Sequence, residues 1–236
     1  MLKLVMKESQ VMPVLDVANH KTTWFCEKWS EEAVDFARRK LRRLDIDRAP
    51  AELYPVRVSK PGAVLYVPRF MAIDEGISSM VLRELVGPAE EMVEINGNLL
   101  LNEGIQRLQD MTMIATVVSN QVSTNPWSNA NAYTGVGDSN TAEAATQVEL
   151  QAATNRFYKA MNATYPSRSN QTVSFQSDFA TSEANYAWAE WAISASATTA
   201  SGAGFLNGTI NLNRKVAALG TKASGTWTLT AQITFS

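Results

Sequence analysis

The sequence contains very little of the chemistry that metal centres and covalent catalysis use. It has one cysteine, Cys26, and one histidine, His20, among 236 residues. A single cysteine excludes an internal disulfide, and the usual zinc sites need several Cys or His ligands. The nucleophile-elbow pattern Gly-x-Ser-x-Gly is missing, and a Ser-His-Asp triad would have to use His20, which we expect in an N-terminal extension. We therefore predict no enzyme, no metal and no cofactor, with Cys26 a buried or idle thiol.

Net charge and long apolar runs are also lacking. The formal net charge is −2, so the chain offers no basic field for nucleic acid. Residues 1–8 lack the apolar run of a signal peptide. The longest apolar-rich stretch, residues 99–118, is interrupted by Glu103, Arg107 and Asp110. We expect no nucleic-acid partner, no membrane span, and synthesis in a cytoplasm.

Charge is distributed unevenly along the chain. Residues 1–110 contain 15 Lys and Arg with 17 Asp and Glu, whereas residues 111–236 contain 6 of each sign. The second half replaces charge with Thr, Ser, Asn and Ala, and Thr in particular suits the faces of a sheet. Asn96-Gly97 is a strong turn signal. We therefore predict a charged N-terminal anchoring region, residues 1–97, and a β-sandwich-like module, residues 98–236.

The last residues give the clearest strand. From Trp227 to Phe235 the odd positions are apolar and the even positions are polar, which predicts one buried face and one solvated face. Further strands are predicted at 132–139, 156–165, 173–179, 185–194 and 208–216. In 185–194 the aromatic residues change parity near Glu190, so either both faces are covered or a bulge switches the side.

Two helices are predicted within the module. One spans residues 99–118 with Asn98 as its cap and packs beneath the sheet or at a subunit interface. The other follows a capping box formed by Asn140 and Glu143 and runs to about Ala153. The whole pattern predicts an α+β fold: a C-terminal antiparallel β-sandwich-like domain with a packed helix, preceded by a mixed helical and extended N-terminal region.

The N-terminal region contains an amphipathic helix and a proline-framed segment. Ser30 is placed to cap the helix, and Val34, Ala37, Leu41 and Leu44 form its apolar stripe. Prolines frame residues 50–68, which read as a hairpin or as an arm laid across a neighbour, and a short helix is predicted at 77–86. The basic helix end is either solvated or docks on an acidic partner surface. The candidate docking residues are Arg38, Arg39, Arg42, Arg43, Arg57 and Tyr66.

Three patterns in the second half raise ligand-binding alternatives. Residues 135–141, Gly-Val-Gly-Asp-Ser-Asn-Thr, lack the lysine of a phosphate loop and the repeated carboxylates of a calcium loop, so we favour a tight turn with left-handed glycines. Aromatic residues of strands usually fill a core, but Trp127 and Tyr133 are candidates for exposed rings that stack on sugars. Glu183 and Glu190 are the only close acids there; seven residues apart on a strand, they would face opposite sides, which disfavours a glycosidase pair.

Residues from about 98 to 236 resemble a module of tailed-bacteriophage virion structural proteins. The segments that carry the resemblance are Asn98-Leu-Leu-Leu-Asn-Glu-Gly-Ile, Asn129-Ala-Asn-Ala-Tyr-Thr-Gly-Val-Gly-Asp-Ser, Leu150-Gln-Ala-Ala-Thr-Asn, Ala184-Asn-Tyr-Ala-Trp-Ala-Glu-Trp, Leu212-Asn-Arg-Lys-Val and Leu219-Gly-Thr-Lys-Ala-Ser-Gly-Thr-Trp-Thr-Leu-Thr. The resemblance implies a virion component with no catalytic residues to transfer.

Such components act by docking and self-association, usually with cyclic symmetry. The first hypothesis is a head-associated protein that decorates the major capsid protein as a homo-oligomer, for which a trimer is one arrangement. The alternatives are a tail, baseplate or fibre component that contacts tail proteins, and a host carbohydrate-binding module.

Overall fold

A computed structural model describes residues 20–47, 53–57, 64–68, 77–110, 127–195 and 210–235. These residues form an α+β protein with two large antiparallel sheets, which confirms the predicted fold class. The helices are α1 (Glu31–Asp47), α2 (Ser79–Leu85) and α3 (Asn102–Gln109). The strands are β1 (His20–Trp29), β2 (Leu53–Arg57), β3 (Val64–Pro68), β4 (Glu91–Asn96), β5 (Leu99–Leu100), β6 (Ala132–Gly137), β7 (Arg156–Ala160), β8 (Ser167–Ser169), β9 (Thr172–Phe179), β10 (Ala187–Ala195), β11 (Ile210–Asn211), β12 (Asn213–Thr221) and β13 (Thr226–Phe235).

The first sheet joins the two ends of the described chain. Its strand order is β4-β1-β13-β9-β8, and β1 pairs with β13 from His20 opposite Phe235 to Trp29 opposite Thr226. His20 therefore begins a strand, and the expectation that it lies in an N-terminal extension is wrong. Because β1 and β4 lie before residue 98, the boundary predicted there does not separate the sheets. In β1 the buried Trp24 and Cys26 alternate with the less buried Thr23, Phe25 and Glu27, which is the pattern of a strand with one face in the core.

The second sheet has the order β5-β12-β10-β6-β7, with β11 beside β10. The pairing of β10 with β12 shifts register between Trp188 and Glu190, which confirms the predicted bulge. Both faces of β10 are also buried, so both predicted alternatives, the bulge and the two covered faces, are confirmed. The segments of residues 53–57 and 64–68 pair as a separate antiparallel sheet, as the hairpin alternative predicts.

The core between the two sheets is built from aromatic rings. The Trp188 ring lies between Phe179, at a centroid distance of 4.7 Å, and Trp227, at 4.9 Å. Trp24 of the first sheet meets Trp191 of the second at 6.0 Å. These pairs are edge-to-face, the arrangement that ring quadrupoles favour. The inner faces of the two sheets thus interdigitate as in a sandwich.

Helices α1 and α2 cover the outer face of the first sheet. Their buried residues form one cluster with Trp29 of β1, and the Asp178 carboxylate of β9 accepts a hydrogen bond from Ser79 N at 2.7 Å. The other oxygen of Asp178 accepts the Thr228 hydroxyl at 2.8 Å. Thr226 and Thr228 are consequently buried. The predicted solvated face of β13 is therefore wrong over its first half, because the helix layer covers it.

The two helices predicted in the module differ from the structure. Leu99 and Leu100 form β5 beside Asn213 and Arg214, so α3 begins only at Asn102, with Leu101 rather than Asn98 as its N-cap residue. Residues 111–126 of that prediction lie outside the described residues. Residues 138–155 contain no helix, and the carboxylate of Glu143 accepts a hydrogen bond from Val216 N instead of capping one.

Candidate docking surface and buried polar clusters

Helix α1 presents one buried face and one solvent face. Ser30 Oγ accepts a hydrogen bond from Ala33 N at 3.2 Å, which confirms the predicted cap. Ala33, Val34, Ala37 and Leu41 are buried against α2 and β1. The solvent face contains Phe36, which is 42% exposed, together with Arg39 and Lys40. We call Phe36, Arg39 and Lys40 the α1 surface.

The predicted docking residues differ in what they can offer a partner. Arg38 is half-buried and pairs with Asp35 one turn before it at 2.9 Å. Arg39 is exposed, and Lys40 Nζ lies 4.7 Å from the centroid of the Phe36 ring while donating to Leu85 O at 2.9 Å. The side chains of Arg42, Arg43, Arg57 and Tyr66 lie outside the described residues. Of the six candidates, Arg39 is therefore the one whose exposed guanidinium the structure places on the α1 surface.

A fully buried ion pair lies on the outer face of the second sheet. Glu190 of β10 and Arg214 of β12 are both 0% exposed, and Arg214 Nε donates to Glu190 Oε2 at 2.7 Å. The carboxylate also accepts Ala152 N at 2.6 Å and Gln151 N at 3.0 Å. Because backbone and side-chain groups form hydrogen bonds with both charges, the cost of removing them from water is offset within the protein.

The same pair fixes residues 138–155, which we call the covering segment. The guanidinium of Arg214 donates to Gln147 Oε1 at 2.9 Å and to Thr141 O at 2.9 Å. Leu150 adds an apolar contact with Tyr133, Tyr158 and Ala192. The covering segment thus closes the outer face of the second sheet, with its backbone amides and carbonyls directed at two buried charges.

The glycines of the 135–141 stretch serve this packing. Gly135 and Gly137 lie within β6 and not in a tight turn, and neither has the left-handed backbone expected from the sequence. A Cβ on Gly137 would lie 2.6 Å from Glu190 Oε1, and one on Gly135 would lie 2.7 Å from the Tyr158 ring. The two positions are therefore small because the covering segment and the ion pair approach the strand closely.

A second buried cation, Lys222, lies between β12 and β13. Lys222 is 0% exposed, and its Nζ donates to Ala180 O at 2.7 Å and to Asn185 Oδ1 at 2.8 Å. Burial lowers the pKa of Lys222 to about 8, an effect that the nearby Glu183 carboxylate opposes. Glu183 itself binds Lys159 Nζ at 2.6 Å. Glu183 and Glu190 therefore each belong to a different ion pair, and the structure does not bring them together as a pair of acids.

The candidate sugar-binding rings and the thiol are all buried. Trp127 and Tyr133 are 8% and 3% exposed, so these two candidates for exposed rings lie in the interior, as we favoured for the aromatic residues of strands. Tyr133 lies under the covering segment, and Trp127 belongs to the main core with the Arg107 guanidinium 5.0 Å from its ring. Cys26 is also buried, as predicted, and burial raises the pKa of its thiol to about 12.

Sequence reasoning missed the roles of Arg214 and Lys222. One signal was available, because a single charged residue inside an apolar strand requires a buried partner or a solvated face. Glu190 in Trp188-Ala189-Glu190-Trp191 gives that signal, but nothing in the spacing identifies Arg214 as its partner 24 residues later. The pairing depends on the register of β10 against β12 and on the bulge between them.

Comparisons of the chain with protein-family models, with curated proteins and with solved structures find no match. Among the described residues, no group of three or more His, Cys, Asp or Glu side chains is arranged to hold a metal ion. No helix in the described ranges is both long and apolar enough to cross a membrane.

Proposed function

We propose that this chain is a non-enzymatic structural protein of a tailed-phage virion, attached to the head through the α1 surface. One observation carries the proposal: residues in the segments that resemble phage virion proteins have structural roles in the sandwich. Glu190, Arg214, Gly135 and Gly137 come from its segments, and each is used in the ion pair or in the close packing of the second sheet. The resemblance therefore rests on residues that build a stable sandwich.

Two further observations support docking over catalysis or sugar binding. The acids nearest the aromatic region, Glu183 and Glu190, are engaged by Lys159 and Arg214. The two rings that were candidates for stacking on sugars are buried. In contrast, the α1 surface combines an exposed aromatic ring with exposed basic groups, and aromatic residues and Arg are enriched at protein interfaces.

Copy number in purified particles tests the location. Virions of the phage that encodes the chain are separated into tail-less heads and isolated tails, and the chain is quantified by mass spectrometry against the major capsid protein. We expect many copies per head and none on tails. A few copies confined to tails would reject the head assignment and support the tail, baseplate or fibre alternative. Its absence from both fractions would reject the virion proposal.

A charge reversal tests the α1 surface itself. We expect Arg39→Glu to weaken binding to capsid shells that lack the chain, because it reverses a charge at the exposed basic face. Arg168→Glu is the matched control, since Arg168 is an exposed arginine on β8. Equal binding by the two variants would contradict docking through the α1 surface.

A further inference from the structure

Two of the connections that carry the chain between the two sheets meet at Lys222 and Asn185. Asn185 lies between β9 of the first sheet and β10 of the second, and Lys222 lies between β12 of the second sheet and β13 of the first. The hydrogen bond from Lys222 Nζ to Asn185 Oδ1, at 2.8 Å, is therefore a contact between two crossings from sheet to sheet. A bond at this point would join both sheets at one end of the sandwich.

A hydrogen bond to the loop before β10 orients the amide of the exposed Asn185. Asn185 Nδ2 donates to Thr181 O at 2.9 Å, which leaves Oδ1 directed at Lys222. Glu183 fixes the same loop, because its carboxylate accepts Ala180 N at 2.8 Å and binds Lys159. The carbonyl carbon of an amide lies about 1.2 Å from its oxygen. Lys222 Nζ is therefore about 4 Å at most from Asn185 Cγ, close to the separation from which intramolecular reactions proceed.

We propose that Lys222 and Asn185 form an intramolecular isopeptide bond. The neutral amine attacks Asn185 Cγ, and a new bond joins Nζ to Cγ. The bond from Cγ to Nδ2 breaks, a proton of the attacking nitrogen passes to Nδ2, and ammonia leaves. One amide replaces another, so the reaction needs no oxidant, reductant or activated co-reactant.

Burial increases the neutral, nucleophilic fraction of the Lys222 amine, whereas the oxygens that accept hydrogen bonds from Nζ favour its charged form. A lysine reacts as a nucleophile only when it is neutral, and burial is a common means of producing that form. The pKa of Lys222 is lowered to about 8 by desolvation, so a substantial fraction is neutral slightly above neutral pH. Other lysines provide a contrast within the chain. Lys28 Nζ donates to the Glu91 carboxylate and to Leu219 O, and Lys159 Nζ donates to the Glu183 carboxylate. Because an unactivated carboxylate is a poor acyl group, we expect neither of these lysines to form an amide bond with its partner.

The cross-link would give the sandwich a covalent tie without a disulfide, which a chain with one cysteine cannot form. It would span the 37 positions that separate Asn185 from Lys222 and would enclose β10, β11 and β12. The inference does not depend on the location of the protein in a virion, because the reacting groups belong to one chain.

The first test is the intact mass of the purified full-length protein, measured after incubation at pH 9. We expect a mass lower than the sequence mass by one ammonia, and a branched peptide that joins Asn185 to Lys222 in tandem mass spectrometry. The peptide containing Lys28 should remain linear and serves as the internal control. Recovery of linear peptides containing unmodified Lys222 and Asn185 would overturn the proposal.

The second test separates the cross-link from other losses of ammonia. Lys222→Arg retains a cation and hydrogen-bond donors but cannot form this bond, so it should release one ammonia fewer than the natural sequence. A succinimide at Asn96-Gly97 would also release ammonia, but it would form equally in both proteins and cancels in the comparison. Equal ammonia loss in the natural sequence and in Lys222→Arg would therefore contradict the proposal, even if the variant folds less stably. Asn185→Ala should likewise release one ammonia fewer.

Discussion

The outer faces of the two sheets are covered in different ways. Helices α1 and α2 cover the first sheet with an apolar stripe, and two carboxylates, Asp178 of β9 and Glu27 of β1, bind that layer to the strands through Ser79 N and Arg83. The covering segment closes the second sheet without a helix, and the buried pair of Glu190 and Arg214 holds it by hydrogen bonds to backbone and side chains. The helix layer is held mainly by buried apolar area. The covering segment is held mainly by two buried charges, which need all of their hydrogen-bonding partners.

The difference predicts different responses to substitution. An apolar stripe loses free energy in proportion to the side chain removed, because neighbouring side chains retain their contacts. A buried ion pair behaves as a unit, since removal of one member leaves an uncompensated charge away from water. The covering segment should therefore depend strongly on a few atoms, whereas the helix layer should tolerate small changes.

The largest effect is expected for Arg214→Met. It leaves the Glu190 carboxylate buried without its cation, and we expect a loss of about 3–5 kcal/mol in the free energy of unfolding. Denaturant unfolding measures this loss. Hydrogen exchange should show faster exchange at the amides of Gln151 and Ala152, which donate to Glu190.

The double variant Glu190→Gln with Arg214→Met is the control for that experiment. It removes both charges and retains one side-chain oxygen for the covering segment, so it should be more stable than Arg214→Met alone. If the double variant is the less stable of the two, the packing of Glu190 and Arg214 matters more than their charge, and the contrast between the two coverings fails.

A smaller loss is expected for Leu82→Ala in α2. Leu82 is 0% exposed in the cluster between α1, α2 and β1, and the cavity should cost about 3 kcal/mol. Met80 lies on the same helix but is 63% exposed, so Met80→Ala should change the free energy of unfolding by less than about 0.5 kcal/mol. Equal losses in the two variants would mean that a partner surface or another part of the chain buries Met80.

The core between the two sheets contains Cys26, whose buried thiol makes the stability of the protein depend on pH. The pKa of this thiol is raised to about 12 in the folded protein, whereas the unfolded thiol has a pKa near 9. The folded state therefore keeps a proton that the unfolded state releases, and stability is lost as pH rises above about 9. The slope is about 1.4 kcal/mol per pH unit.

Cys26→Ala isolates this contribution, because the free amine of Lys222 changes stability in the opposite direction from about pH 8 upward. The difference in unfolding free energy between Cys26→Ala and the natural sequence should shift in favour of Cys26→Ala as pH rises from 9 to 10. A difference that stays constant across this range would mean that the thiol is not shielded from water.

The helix layer was largely predictable from sequence, and the covering segment was not. Ser30 and the spacing of Val34, Ala37 and Leu41 identify α1 from local pattern alone, and its cap and buried stripe are observed. The covering segment depends on contacts between distant positions: Glu143 with the backbone of Val216, and Arg214 with Thr141. Its local sequence matches a capping box, so local rules favoured a helix that tertiary contacts replace. The burial of Thr228 was missed for the same reason, because it depends on where α2 lies.

The smallest predicted effect on the free energy of unfolding comes from a serine-to-alanine substitution, made once in the helix layer and once in the covering segment. Ser30 Oγ accepts Ala33 N and donates to Glu90 Oε1 at 2.7 Å, so Ser30→Ala should remove the cap of α1 and cost about 1 kcal/mol. Ser139 Oγ accepts Thr141 N at 3.1 Å in the covering segment, where Arg214 already holds Thr141 O. Ser139→Ala should therefore change the free energy of unfolding by less than about 0.5 kcal/mol. A larger loss at Ser139 would show that local turns, and not the buried charges, hold the covering segment on its sheet.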